Sequence, residues 1–212
     1  MKCDLCEAGP GLPGPFCACC SSILPLPRDA SPFAIFGLPE RFGLDEADLL
    51  QRYRQLSRQL HPDRFARKSP IEKRHALEWT TALNDALRSL RTPEARADLL
   101  LRRRGIDLSG ESGAEARRRL SPDFLESVLE EREALFDARA EGDHAAAQKL
   151  ADRIKARLDR GRAELALLFE RIETMGDHEQ RALDAAASTL ARLRYDARFL
   201  EEAEAFEREG LE

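Results

Sequence analysis

The residues best suited to bind a metal ion are concentrated at the N-terminus. All five cysteines lie within the first 20 residues. Cys3-x-x-Cys6 and Cys17-x-x-Cys20 form two chelating pairs, and four thiolates in such pairs are typical of a structural zinc site. The surrounding segment has few apolar residues with which to fold alone. We therefore predict a Zn²⁺ site with the ligands Cys3, Cys6, Cys17 and Cys20.

The sequence leaves other roles open for these cysteines. They could form disulfides, although no export signal is visible and disulfides are typical of oxidising compartments. They could instead hold an iron–sulfur cluster or act as transient redox thiols. The fifth cysteine, Cys19, could replace Cys17 or Cys20 as a ligand or remain a free thiol.

A second distinctive motif is His61-Pro62-Asp63. Proline fixes its own φ and disfavours helical geometry at the residue before it, so we expect a helix to end near Leu60. We expect the tripeptide to be held in one extended shape that displays His61 and Asp63. A catalytic His–Asp pair is disfavoured because no serine or cysteine nucleophile lies in a recognisable companion motif. We predict that the chain is not an enzyme.

The elements that position these motifs are predicted to be helices. Of the 212 residues, 42% are hydrophobic and 34% charged, aromatics make up 6%, and valine occurs once. Alanine, leucine, arginine and glutamate dominate, which favours an all-α fold. No apolar run is long enough to span a membrane. With no visible targeting segment, we expect a cytoplasmic protein.

Charge is distributed unevenly along the chain. Residues 51–74 contain eight basic and two acidic side chains, whereas residues 123–143 contain eight acidic and two basic ones. This asymmetry favours two binding surfaces of opposite sign. The alternative is that long solvated helices simply require charges of either sign. The overall net charge of −5 disfavours a uniformly basic nucleic-acid binder.

The middle of the chain shows two helical patterns that flank His61-Pro62-Asp63. The first follows the N-cap Asp45, and the second follows Ser69-Pro70. We expect an antiparallel helical hairpin with the tripeptide at its tip, and short helices at 31–37 and 93–104. His75 is expected to be solvated or to cap a helix rather than to bind a metal ion. The apolar faces comprise Leu49, Tyr53, Leu56 and Leu60 in the first helix, and Leu77, Leu83, Leu87 and Leu90 in the second.

The C-terminal region predicts a three-helix bundle. Its first helix follows Ser121-Pro122 and carries two apolar stripes, of which we expect one to face the core and the other a partner. One stripe comprises Phe124, Val128 and Leu135, and the other Leu125, Leu129 and Phe136. The predicted organisation is a Cys-rich zinc-binding segment at 1–29, a hairpin domain at 30–104, a linker at 105–120 and the bundle at 121–212.

The arginine-rich helix, His61-Pro62-Asp63 and a long second helix together resemble the J domain of DnaJ-type co-chaperones. The similarity continues through Asn84-Asp85-Ala86 and residues 92–96. With residues 99–105 and a helical domain that begins Phe124-Leu125, the chain resembles HscB, the J-type co-chaperone family of iron–sulfur cluster assembly. Some members of that family also carry an N-terminal cysteine segment.

The resemblance implies a function without catalysis by this chain. The family's His-Pro-Asp loop and basic helix dock on a DnaK/HscA-type chaperone and trigger its ATP hydrolysis. The trigger would correspond to His61, Pro62 and Asp63. The candidate docking charges are Arg52, Arg54, Arg58, Arg64, Arg67 and Lys68.

The resemblance also implies that the bundle binds an IscU-type scaffold protein, on which iron–sulfur clusters are built. The chain departs from the family pattern at Glu126 and Ser127 and at Glu131, where an apolar residue is common. The alternative is that the patch's apolar and aromatic members belong only to the core. The implied scaffold-binding residues are Leu125, Leu129, Glu130, Arg132, Glu133 and Tyr195.

Two other functions stay open. A general J-type co-chaperone with another client would use the bundle only as a spacer or a module for weak homodimer formation. A zinc-containing nucleic-acid adaptor would use the cysteine segment and residues 52–68, but few aromatic residues are available for stacking on bases. We expect neither nucleic acid nor membrane as a partner.

Overall fold

The computed structural model describes residues 6, 14–108, 114–175 and 180–209. This part of the chain is all-α, which confirms the predicted fold class, and none of its helices is long and apolar enough to cross a membrane. The chain divides into two compact units between Arg96 and Ala97. The helices are α1 (Pro32–Phe36), α2 (Glu46–Leu60), a 3-10 helix (Pro62–Phe65), α3 (Pro70–Leu90), α4 (Pro93–Arg103), α5 (Ala114–Arg118), α6 (Pro122–Glu141), α7 (His144–Met175) and α8 (Gln180–Glu209).

In the first unit, α2 and α3 begin at the caps that the sequence predicts. The Asp45 carboxylate accepts hydrogen bonds from the backbone N–H groups of Ala47 and Asp48. Ser69 and Glu72 form a reciprocal capping box at the start of α3. The Ser69 N–H donates to Glu72 Oε2 over 3.0 Å, and this backbone hydrogen bond lowers the pKa of Glu72.

Two expectations about α3 are wrong. Leu77 is not part of the buried face, because its side chain is 63% exposed. His75 is not solvated, because it is only 5% exposed. Trp79, one turn further along α3, is buried as well. Leu83 and Leu90 are buried as predicted, but the first turns of α3 face the core through other residues than Leu77. The buried residues of α3 are His75, Ala76, Trp79, Leu83, Ala86 and Leu90.

The segment before α1 is attached to the hairpin through a buried hydrogen bond. The indole Nε1 of Trp79 donates to the carbonyl oxygen of Leu24 over 2.8 Å, and both residues are buried. Phe16 and Ile23 pair in an antiparallel bridge, so the chain between them forms a tight hairpin loop. Trp79 therefore holds the end of the cysteine-bearing loop against α3.

In the second unit, α6, α7 and α8 form the predicted three-helix bundle. Ser121 caps α6, and Gly142 ends it in the left-handed conformation with φ 68°. Helices α7 and α8 pack closely at Gly161, where an added Cβ would lie 2.7 Å from Leu193 Cδ2. α7 runs antiparallel to both of its neighbours, which places α6 parallel to α8.

Part of the segment predicted as a linker is helical. α5 lies within residues 105–120, and Arg119, directly after it, donates to Asp184 of α8 over 3.0 Å. Leu108 is buried as well. The boundaries of the four segments stay a prediction, while the described contacts place α5 with the bundle.

Replacing Trp79 with phenylalanine tests the attachment of the N-terminal segment. We expect W79F to lower the free energy of unfolding by about 1–2 kcal/mol, because the buried Leu24 carbonyl loses its donor. Urea denaturation followed by far-UV circular dichroism measures the change. Leu77→Ala, at an exposed position of the same helix, is the control, and equal midpoints for both variants would contradict the attachment.

Candidate functional site

The His61-Pro62-Asp63 motif lies where α2 ends and exposes its polar side chains. His61 has φ −55° and ψ 130°, which ends α2 at Leu60 as the proline rule predicts. The His61 and Asp63 side chains are 58% and 90% exposed. His61 Nδ1 accepts a hydrogen bond from the Asp63 N–H over 3.3 Å, so the two residues are held together at the loop.

The expectation of a fully extended tripeptide is wrong. Only His61 is extended, and Pro62–Phe65 turn into a 3-10 helix. Phe65 is buried and anchors the far side of this turn. At its near side, Thr80 of α3 donates its hydroxyl hydrogen to the carbonyls of Ala76 and Leu60, at 2.8 and 3.3 Å. The loop is thus fixed at both ends while its polar tip stays exposed.

The six candidate docking charges are not equivalent. Arg52 pairs with Asp48 at 3.0 Å and donates to the carbonyl of Phe36 at 3.2 Å, so it connects α2 to α1. Arg58 donates through Nε to the carbonyl of Arg54. Lys68 lies 3.8 Å from Glu72. Within the described residues, the charged groups of Arg54, Arg64 and Arg67 are exposed and have no acidic partner.

Three of the four predicted metal ligands lie close together. The Sγ atoms of Cys6, Cys17 and Cys20 are all within 4.8 Å of one another. Cys3 lies outside the described residues. Cys19 is exposed and is not part of the cluster. The Cys17 N–H donates to the Ser22 carbonyl over 2.9 Å, which closes the loop that carries Cys17 and Cys20.

The distances within this cluster fit a shared metal ion. Cys6 Sγ and Cys17 Sγ are 3.7 Å apart. Two thiolates on one tetrahedral Zn²⁺, with Zn–S bonds of about 2.3 Å, would be separated by about 3.8 Å. A disulfide requires about 2.05 Å, so no disulfide joins these two cysteines. The three cysteines could therefore bind a metal ion.

The two apolar stripes of α6 have different environments. Val128 and Leu135 are buried, whereas Leu129 and Phe136 are 63% and 72% exposed. The exposure of Leu129 rules out a core role for that residue. Leu125 is half-buried at the start of the exposed stripe.

The other candidate scaffold-binding residues lie beside the exposed stripe. Tyr195 of α8 is half-buried and packs edge-on against Phe124 of α6, with ring centroids 5.9 Å apart. Arg132 lies over the Tyr195 ring at 5.7 Å. Glu130 and Glu133 are exposed on α6. The structure thus brings the aromatic residue of α8 to Phe124, which belongs to the stripe with the buried Val128 and Leu135, and to Arg132.

An ionic network joins all three helices of the bundle. Arg157 of α7 makes paired hydrogen bonds to Glu131 of α6, both 2.9 Å, and to Asp196 of α8, at 2.9 and 2.7 Å. Burial lowers the pKa of Arg157, but the hydrogen bonds that Arg157 donates to Asp196 and Glu131 outweigh this effect and raise the pKa. Burial raises the pKa of Asp196, and Arg157 opposes that shift.

This network explains one departure from the family pattern. Glu131 stands where an apolar residue is common, and it turns inward to Arg157 instead of outward to a partner. Sequence reasoning missed Arg157 and Asp196, because no motif or spacing connects two charged residues 39 positions apart. The available signal was an acidic residue in the buried register of α6.

A helical hairpin with His-Pro-Asp at its tip and a three-helix bundle define a J-type co-chaperone. Residues 120–204 match a family model described as the HSCB C-terminal oligomerisation domain. A co-chaperone protein HscB homolog of Azoarcus sp. (strain BH72) is 35% identical over 163 residues, which cover 77% of this chain and 85% of the relative.

Solved structures agree with this match. The crystal structure of human co-chaperone protein HscB superposes with a TM-score of 0.77 at 26% identity, covering 97% of this chain and 98% of the human one. Chaperone HscB from Vibrio cholerae gives a TM-score of 0.69 at 29% identity, covering 84% and 98%. The chain belongs to the HscB family of co-chaperones.

Replacing Arg157 with alanine tests the network in the bundle. We expect R157A to lower the free energy of unfolding by about 3 kcal/mol, because Glu131 and the buried Asp196 lose their shared cation. Thermal and urea denaturation measure the loss. Arg153→Ala, at an exposed position one turn earlier in α7, is the matched control. Equal stability of the two variants would show that the network does not hold the bundle.

Proposed function

We propose that this chain stimulates ATP hydrolysis by a DnaK/HscA-type chaperone and delivers an IscU-type iron–sulfur scaffold protein to it. The observation that carries the proposal is the exposed, doubly anchored His61-Pro62-Asp63 loop in a chain of the HscB family. A preformed loop loses little conformational freedom on binding, so its contacts contribute more of their energy to docking.

The arginines around the loop would guide the encounter with the chaperone. The exposed cationic groups of Arg54, Arg64 and Arg67 can attract an acidic surface on the ATPase and raise the association rate. Arg58 and Lys68 add charge nearby but also make contacts within the chain. Arg52 would contribute indirectly, because it holds α2 against α1.

The scaffold protein would dock on the exposed side of the bundle. Leu125 and Leu129 supply apolar area on α6, and Tyr195 adds an aromatic ring from α8. The exposed carboxylates of Glu130 and Glu133 lie at the edge of this patch, while Arg132 is shared between Tyr195 and Glu202. Hydrolysis on the chaperone would then lock the delivered scaffold in place.

The cysteine cluster would hold a structural zinc ion with four thiolate ligands. Cys6, Cys17 and Cys20 have a fitting arrangement, and Cys3 would complete the set by the spacing of the two pairs. Zinc would stabilise a segment whose described part buries few apolar side chains. The free thiols of the described cysteines speak against the disulfide alternative.

Substitution of His61 tests the ATPase proposal. Single-turnover hydrolysis by the cognate DnaK/HscA-type chaperone is measured alone, with this chain, and with this chain plus scaffold. We expect stimulation that rises further with scaffold and that His61→Gln reduces at least about tenfold, because the loop loses its imidazole contacts. Arg88→Ala, at the other end of α3 from the loop, is the control and should retain stimulation.

The outcomes separate the remaining functions. Stimulation that depends on His61 but not on scaffold would indicate a J-type co-chaperone with another client. An absence of stimulation with a folded chain and an active chaperone would contradict the proposal. A steeply salt-dependent affinity for DNA or RNA would then favour the adaptor.

Metal analysis of protein purified without chelator tests the zinc proposal. We expect about one zinc ion per chain, and Cys17→Ser should reduce its retention because it removes a buried ligand. Cys19→Ser is the matched control and should keep the metal. Chelation should also change the fluorescence of Trp79, which bonds to Leu24 beside the cluster. Absence of zinc together with full reactivity of the thiols would contradict this site.

A further inference from the structure

The exposed stripe of α6 extends beyond the residues assigned above. Phe136 is 72% exposed, more than Leu129 at 63%. The two are seven residues apart, about two helical turns or roughly 10 Å, and so lie on the same face. Leu129 and Phe136 therefore expose apolar surface on one face of α6, and a contiguous exposed apolar patch is typical of an interaction site.

The side chains that border this stripe toward α8 are fixed by other contacts. Arg132 donates to Glu202 at 3.3 Å and lies 5.8 Å from the Phe199 ring. Arg139 donates to the carbonyl of Glu202 at 2.9 Å and lies 5.5 Å from the Phe206 ring. Both arginines of α6 are therefore engaged with α8, which leaves Phe136 beside them and uncovered.

The opposite border of the stripe is acidic. At about 3.6 residues per turn, six acidic residues of α6 fall in a sector of about 80° next to Leu129 and Phe136. All six are exposed, and within the described part of the chain none makes an ion pair. They are Asp123, Glu126, Glu130, Glu133, Asp137 and Glu141.

We propose that Phe136 is a specificity-determining anchor for the scaffold protein, and that the scaffold surface it meets is apolar with a border of lysine or arginine. This inference rests on the proposed function and lengthens its docking surface by about two turns of α6. Leu125, Leu129 and Phe136 would form one continuous apolar contact, and the acidic sector would set the charge of the complementary surface.

Charge favours the scaffold over a second copy of this chain as the occupant. An antiparallel two-fold contact through this stripe would place the acidic sector of each copy beside that of the other, and a parallel one would place it beside Arg132 and Arg139. The two arginines of α6 are already engaged with α8 and would offer little compensation. A partner with a basic border gains attraction from the same carboxylates.

Binding of the full chain to the cognate IscU-type scaffold, measured by isothermal titration calorimetry, tests the inference. We expect Phe136→Ala to weaken binding about 10- to 30-fold, as for aromatic anchors of other interfaces. Its thermal midpoint should not fall, because the ring is exposed and alanine favours helix. Leu167→Ala on α7, which removes a side chain of 68% exposure, is the matched control and should bind normally.

A second variant tests the acidic border. Asp137→Asn, next to Phe136, should slow association at low salt, and the difference should vanish at high salt because screening removes the attraction. Stopped-flow association kinetics measure both conditions. An unchanged association rate at low salt would overturn the basic-border part of the inference.

The outcomes also separate this inference from the proposed function. If Leu129→Ala weakens scaffold binding and Phe136→Ala does not, the role of Phe136 is overturned while the proposed function stands. If the unmodified chain does not bind scaffold at all, both fail. If the chain sediments as a dimer that Phe136→Ala converts to a monomer, with scaffold binding unchanged, the occupant is a second copy and the inference is overturned.

Discussion

The guanidinium of Arg157 helps to determine which side of α6 stays exposed. α6 carries apolar residues on two faces, and a helix in a three-helix bundle can bury only one of them. By binding Glu131 of α6 and Asp196 of α8 together, Arg157 fixes the rotation of α6 about its axis. Leu129 and Phe136 are then left outside. The stripe proposed to dock a partner thus stays exposed because the partly buried Arg157 network and the buried Val128 and Leu135 take the other face of α6.

The hairpin of the first unit uses backbone restriction for the same purpose. Pro62 forces His61 out of the helical region, and the chain must turn where α2 ends. Thr80 and the buried Phe65 hold the two sides of that turn. The exposed polar groups of His61 and Asp63 therefore keep one geometry without being buried, as a recognition loop requires.

Local signals in the sequence predicted most of the fold, and contacts between distant residues account for what it missed. Asp45, Ser69 and Ser121 each start a helix where expected, because capping depends on neighbours within about one turn. The predicted register of α3 was partly wrong, since the buried face that includes Trp79 takes in His75 and leaves Leu77 exposed, and Trp79 contacts Leu24, 55 residues away. The distinct role of Arg52 depends on the carbonyl of Phe36, which no pattern in α2 reveals.

The residues proposed to bind partners and the residues that stabilise the fold are largely separate sets. Leu129, Phe136 and His61 are exposed and contribute little to the core, whereas Asp196 and Trp79 are buried. Substitution of the exposed residues would change affinity for a partner at little cost in stability. The sequence of the docking face can therefore change while the fold is kept. This separation of exposed from core residues is consistent with the comparison to the human relative, whose fold superposes with a TM-score of 0.77 at only 26% identity. Glu126 and Phe136 are both exposed, so neither is needed to close the bundle.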